Sequence, residues 1–191
     1  MAASSLPKSH PSDKPSLLGV PTPCCGITFR SRLEAQWAAF FDVVGWRWVY
    51  EPVSYNGWLP DFAIAAKGSP LNTLLCEVKP VFERPDDVFA KIDTVAPKHL
   101  EILVLGLGPF EGCGPSFGWL RERNSLDNGW ENAVSTNVGC DCGIAHAFGS
   151  YHCRITGEKD GDRGMWRPDL DELLKLWGEA HARVQWKPKA A

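Results

Sequence analysis

Pro60-Asp61 and Glu77-Val78-Lys79 put two carboxylates and an ammonium into two apolar runs, Trp58–Ile64 and Leu74–Lys79. Each run carries an acid where a half-buried strand ordinarily carries a neutral residue. Alternate residues of a strand share a face, so Glu77 and Lys79 point one way and Val78 the other. If the first run is the neighbouring strand, Asp61 comes within roughly 5 Å of that face across the ladder. Asp61, Glu77 and the Val78 carbonyl then offer hard oxygen donors suited to Mg²⁺ or Mn²⁺, with positions left for water and a phosphate oxygen. Lys79 beside them would hold or help deprotonate an attacking water and offset charge in the transition state. This chemistry is phosphodiester hydrolysis.

Those groups need a frame, and the flanking sequence supplies one. Thr28 is a candidate N-cap for a helix running to about Val44 and stopped by Gly45. Leu33, Trp37, Phe40, Phe41 and Val44 recur at helical spacing, with Glu34 on the edge of that stripe. A carboxylate so placed must be paired, protonated or metal-bound; Glu34 could support a second metal or a metal-linked water, or simply pair with Arg30 one turn earlier. Trp46–Glu51 reads as a strand, and Asn56-Gly57 as the hairpin turn that sends the chain back along Trp58–Ile64. After a Gly68-Ser69-Pro70 loop, Asn72–Lys79 makes a third strand, ended by Pro80. A shorter helix follows from about Asp86 to Ala96, and then a strand over Glu101–Leu105 closed by Gly106 and Gly108. The order helix, three strands, helix, strand predicts an α/β fold: a small mixed sheet flanked by helices.

Phe29-Arg30-Ser31-Arg32-Leu33-Glu34-Ala35, Tyr50-Glu51-Pro52, Leu59-Pro60-Asp61-Phe62 and Cys76-Glu77-Val78-Lys79-Pro80 together resemble the PD-(D/E)XK nuclease superfamily, most closely its compact bacteriophage and mobile-element members. The likeness covers residues 28–105. It implies a restriction-endonuclease-like core and a Mg²⁺-dependent deoxyribonuclease. Asp61 and Glu77 would bind the metal, Lys79 would assist the water and Glu34 would support the site. It also implies Lys91 as a polar contribution from the second helix. Arg30 and Arg32, opening the first helix beside the site, are candidates for phosphate contact. The alternative is a nuclease-like subunit that binds DNA or assembles with a partner and turns over little.

The rest of the chain adds a domain plan and one difficulty. With 191 residues, 44% hydrophobic and 23% charged, the chain has the composition of an ordinary globular domain. Residues 1–25 read as a disordered Ser-, Pro- and Lys-containing tail, residues 26–110 as the core, and residues 167–187 as an amphipathic helix packed on it. Residues 111–166 read as an irregular insert, broken by Gly, Asn, Asp and Ser. Phage-type relatives often append a zinc ribbon, and Cys140, Cys142, His152 and Cys153 are the candidate structural zinc ligands, against a metal-free hairpin. Seven scattered cysteines argue for reduced thiols, and no signal-peptide or membrane-spanning pattern is present, which predicts a cytoplasmic protein; the resemblance implies that the cell is a bacterium or a phage-infected host. The difficulty is charge. At a net −3, with no basic segment, the chain attracts phosphate weakly at long range, so a partner or a second copy would have to supply a basic surface.

Overall fold

The computed structural model describes residues 19–65, 73–122, 129–136, 143–147, 152–158 and 169–185. Nine strands and three helices fall within them: β1 (Thr22–Cys24), β2 (Ile27–Phe29), α1 (Arg32–Val43), β3 (Arg47–Tyr50), β4 (Phe62–Ala65), β5 (Thr73–Val78), α2 (Asp86–Val95), β6 (Glu101–Glu111), β7 (Pro115–Arg121), β8 (Trp130–Thr136), β9 (Gly143–His146) and α3 (Leu170–Val184). Strands β3 to β9 form one seven-stranded sheet in chain order. Every neighbouring pair is antiparallel except β5–β6, which α2 connects as a parallel crossover. The protein is thus mixed α/β, with a mostly antiparallel sheet and the expected order of helix, three strands, helix, strand at its start.

The period-two alternation of the central strands sorts their side chains onto two faces. Phe62, Ile64, Leu74, Cys76, Leu103 and Leu105 pack with α1 and α3. Ala63, Leu75, Ile102, Val104, Trp119 and Trp130 pack with Phe89 and Ile92 of α2. Helices therefore cover both faces, and α1 is enclosed on two sides. Residues Glu34–Phe41 are all buried, because α3 closes the face turned away from the sheet, with the Trp37 and Trp177 ring centroids 4.5 Å apart. Trp177 is packing, as its place on the stripe of α3 predicts.

Several elements differ from expectation, each for a local reason. Helix α1 starts four residues after Thr28, because β2 pairs with β1 through a tight Cys25-Gly26 turn with φ of 52° and 78°. That hairpin also takes residues 22–24 out of the expected tail; residues 1–18 lie outside those described. Ser31 is the true N-cap: its hydroxyl accepts from the Glu34 amide at 3.1 Å and donates to the Glu34 carboxylate at 2.8 Å. At the other end Gly45 does stop the helix, with φ 73° and the paired bonds Gly45 N–H to Asp42 O and Trp46 N–H to Phe41 O.

Strand β6 continues through Gly106 and Gly108 instead of stopping there, bending at an irregularity between Leu105 and Phe110. The glycine at 106 is needed for space, since a Cβ there would stand 2.7 Å from the Val81 carbonyl oxygen. The insert read as irregular instead carries β7, β8 and β9, which widen the same sheet. Short runs such as Phe117–Leu120 and Ala133–Thr136 are buried there although Gly and Ser interrupt them. The 66–72 loop and the 186–191 end lie outside the described residues, while α3 forms where the amphipathic pattern places it, capped by Asp169. No helix among the described residues is long and apolar enough to cross a membrane.

Candidate active site

Three elements meet at one end of two interior strands of the sheet: the lead-in to β4, the C-terminal end of β5 and the N-terminal turn of α1. The Asn56-Gly57 turn forms as expected, with φ of 48° and 84° and reciprocal Tyr55–Trp58 backbone bonds of 2.7 and 2.8 Å. It does not launch a strand at Trp58, however. Regular pairing begins at Phe62, so Asp61 sits one residue before β4 rather than within a strand. Its carbonyl still accepts from the Glu51 amide at 2.9 Å, extending the β3–β4 pairing by one step. Phe62 pairs with Cys76, which brings Asp61 alongside Glu77.

Beyond β5 the chain stays attached to β6. Lys79 N–H donates to Leu105 O at 2.9 Å, and Leu107 N–H donates to Val81 O at 3.1 Å. This backbone zipper, made possible by the bare Cα of Gly106, fixes where the Lys79 side chain starts.

The cleft so formed has a volume of about 460 Å³ and is lined by Arg30, Glu34, Asp61, Glu77, Val78 and Lys79 among others. Glu77 and Lys79 share a face, as the strand period requires, and the Lys79 ammonium lies 2.5 Å from Glu77 Oε1. The second oxygen of Glu77 accepts from the Trp58 indole N–H at 2.9 Å. Asp61 is buried, with Oδ2 accepting from the Val78 amide at 2.7 Å and Oδ1 from Arg30 at 2.5 Å. Val78 therefore holds Asp61 through its N–H. Arg30 also reaches Glu51 at 3.1 Å and Glu34 at 3.9 Å. The Tyr50 hydroxyl donates to Glu34 Oε2 at 2.6 Å and accepts from the Arg30 amide at 3.2 Å.

These carboxylates crowd one another. Burial pushes the Asp61 carboxyl up to about 7, and the neighbouring Glu77 charge adds to the rise; the Val78 N–H and Lys79 oppose it. Burial and the hydrogen bond to Glu34 likewise raise the Tyr50 hydroxyl. A divalent cation suits this donor chemistry: two buried carboxylates that repel each other, with oxygen donors only. The acids are nonetheless already partnered. Among the described residues no group of three or more His, Cys, Asp or Glu is placed to hold a metal ion. Glu34 is turned to Ser31 and Tyr50 and is linked to Asp61 through Arg30, while Glu77 pairs with Lys79, so any metal would exchange with existing ion pairs.

The structure thus brings together Glu34, Asp61, Glu77, Val78, Lys79 and Arg30. It separates two others from them. Lys91 lies on the exposed side of α2, 3.9 Å from Asp87 in a helical pair, outside the cleft lining. Arg32 faces a second hollow, with Arg183. Cys140 and Cys142 lie outside the described residues. Cys153 is fully buried, its sulfur accepting from the Thr156 amide at 3.4 Å and filling the space beside Gly143. His152 stands next to it in the chain, and the zinc reading for these residues rests on Cys140 and Cys142 as well.

Three residues that hold the site's charged groups receive no role in the sequence reading: Trp58, and Tyr50 and Glu51, which enter it only within a stretch that carries the resemblance. Their signals are faint. Tyr50 and Glu51 end a strand and carry no spacing rule, while Trp58 reads as one more core aromatic after the turn. Ser31 is missed as well, since the sequence reading takes Thr28 as the cap; the signal for it is Ser-x-x-Glu over 31–34, the capping-box pattern. Comparison with protein-family models, with curated proteins and with solved structures finds no match.

Proposed function

We propose that the protein is a divalent-metal-dependent deoxyribonuclease that hydrolyses phosphodiester bonds with an activated water. The observation that carries this reading is the single cleft lined by Glu34, Asp61, Glu77 and Lys79. The order α1, β3, β4, β5, α2, β6 supports the finer reading of the first half as a restriction-endonuclease-like core. Asp61 and Glu77, with the Val78 carbonyl, would hold Mg²⁺ or Mn²⁺; the bound ion would polarise the phosphate and lower the pKa of a water. The chain's own groups do the rest. Lys79, anchored by Glu77, orients the water and offsets charge gathering on the phosphate oxygens. Trp58 fixes Glu77 from the other side. Arg30, once released from Asp61, is placed to take a phosphate oxygen, and Tyr50 and Glu34 hold its backbone and side chain in position.

The test is incubation of purified protein with Mg²⁺ or Mn²⁺ and labelled single-stranded, nicked, branched and duplex DNA. Lys79→Ala is expected to slow cleavage by about 10²-fold or more. Absence of any metal-dependent cleavage that separates wild type from Lys79→Ala on all four substrates refutes the reading.

One observation favours a second reading, a nuclease-like subunit that binds DNA or assembles with a partner. Asp61 and Glu77 are each satisfied by protein donors, as a scaffold without metal would require. Calorimetric titration with Mn²⁺ separates the two: a scaffold binds none tightly. Either way the acidic chain calls for added basic surface, from a partner protein or a second copy.

A further inference from the structure

The cations nearest the acids are already committed, Arg30 to Asp61 and Glu51 and Lys79 to Glu77. A second hollow of about 330 Å³ presents a different charge pattern. Its walls include Val20, Thr22 and Pro23 from the N-terminal segment, Arg32 and Arg183 from two helices, and Gln185 just after α3; among the described residues no carboxylate lines it. Arg32 is the first residue of α1 and Arg183 lies in the last turn of α3. Among the described residues neither guanidinium has a hydrogen-bonded or ion-paired partner. Two arginines that line one hollow, neither with a partner among the described residues, stand out in a chain of net charge −3.

The hollow adjoins the acid cleft. Arg30 and Ser31 line the cleft and Arg32 lines the hollow, so the two are joined by consecutive residues whose Cα atoms span roughly 7 Å. Beside them Gly19 lines the cleft and Val20 the hollow. Gly19 crosses so close to Arg30 and Ser31 that a Cβ would stand 2.6 Å from the Arg30 carbonyl oxygen. A single thickness of chain therefore divides the two depressions. Phosphates on one DNA strand are spaced at roughly 3.4 Å of helical rise, so a strand seated over Asp61 and Glu77 would carry a flanking phosphate into reach.

We propose that this hollow is a phosphate subsite for the DNA backbone, in which the forks of Arg32 and Arg183 grip a phosphate flanking the one held at the acid cleft. The proposal rests on the nuclease reading for its register and on these two arginines for its chemistry. The bland account of the same residues is a solvated Arg32 and an Arg183 that serves the negative end of α3.

The test uses the full chain in EDTA, so that binding is read without turnover. The affinity for a fluorescein-labelled duplex and a labelled single strand is measured across a salt series for wild type, Arg32→Gln, Arg183→Gln, the double variant and Arg47→Gln, an exposed control on β3. Arg32 and Arg183 hold one phosphate between them, and a lost phosphate contact lowers the slope of log K against log salt by about 1, so the double variant should lose about 1. Arg47→Gln should retain the wild-type slope. An unchanged slope in the double variant at a wild-type melting temperature overturns the proposal, as does an equal loss with Arg47→Gln. If a variant melts early, the slopes are compared at a temperature well below its transition, where it is folded: a lowered slope supports phosphate contact, and an unchanged one overturns it. Cleavage assays fail or succeed separately, so a lost subsite and a lost nuclease reading are distinguishable.

Discussion

Arg30 occupies the place a metal would contest, and removing it makes opposite demands on the folded state and on the ion. The guanidinium lies 2.5 Å from Asp61, with the Arg30 side chain 56% exposed and that of Asp61 4% exposed. Two unit charges about 4 Å apart at an effective dielectric of about 20 attract by about 4 kcal/mol. Water around the exposed half of Arg30 screens the pair: exposed pairs are worth about 0–1 kcal/mol, while orphaning a buried charge costs about 3–5 kcal/mol. Arg30→Gln should therefore destabilise the metal-free protein by about 2 kcal/mol, lowering its melting temperature by about 4–8 °C for a chain of this size.

That loss depends on pH. Asp61, raised to about 7 from 3.8, binds a proton in the folded state that the unfolded chain has already released. Its contribution to stability is therefore present at low pH and falls away as pH rises from about 4 towards 7. At pH 5 Asp61 is protonated and Arg30→Gln should cost little; at pH 8 the full loss should appear. Mn²⁺ must displace Arg30 from Asp61, so the same substitution should tighten Mn²⁺ binding at pH 8 by about tenfold, or about 1.4 kcal/mol. Thermal denaturation at both pH values and calorimetric titration with Mn²⁺ read the two effects. An equal loss of melting temperature at pH 5 and pH 8, or weaker Mn²⁺ binding in the variant, would refute the reasoning.

Two further substitutions probe the frame. Ser31→Ala removes the cap on the Glu34 amide and the hydroxyl bond to its carboxylate, and should cost about 1 kcal/mol, seen as a melting temperature lower by about 2–4 °C. Gly106→Ala drives a Cβ towards the Val81 carbonyl, so it should cost about 1–3 kcal/mol and loosen the Lys79–Val81 zipper; cleavage should fall further than with Ser31→Ala, and an unimpaired rate at full occupancy of metal would show that the zipper does not place Lys79.

The acid-bearing end of the sheet was legible because its signals are local. Strand alternation places Glu77 with Lys79, the Asn-Gly turn returns the chain, Gly45 stops α1, and helical spacing brings Glu34 to the boundary. The widened sheet was not legible, because β7 to β9 are interrupted by Gly and Ser, and their burial comes from neighbours distant in sequence. Gly118 illustrates this: it reads as a breaker, yet it lies mid-strand where the Val104 carbonyl leaves no room for a Cβ. The start of α1 was misplaced because Thr28 and Ser31 are both acceptable caps by type. Pairing of β2 with β1, a tertiary fact, decides between them.

Charge is where sequence and structure inform each other most. A net charge of −3 describes the whole chain, but the site depends on which cations are consumed locally. Arg30 and Lys79 neutralise the acids and let the carboxylates be buried in the absence of metal. They cannot at the same time serve as free phosphate ligands. Binding a divalent ion would reverse that allocation, since each carboxylate taken by the ion releases a cation beside the phosphate it is meant to hold. Metal and DNA should accordingly bind with positive coupling: Mn²⁺ ought to raise DNA affinity more in wild type than in Arg30→Gln, where there is no guanidinium to release. Because coupling is reciprocal, DNA should tighten Mn²⁺ binding by the same factor. Equilibrium titrations with a non-cleavable phosphorothioate duplex measure both legs, and equal Mn²⁺ enhancement in the two proteins would remove Arg30 from the coupling.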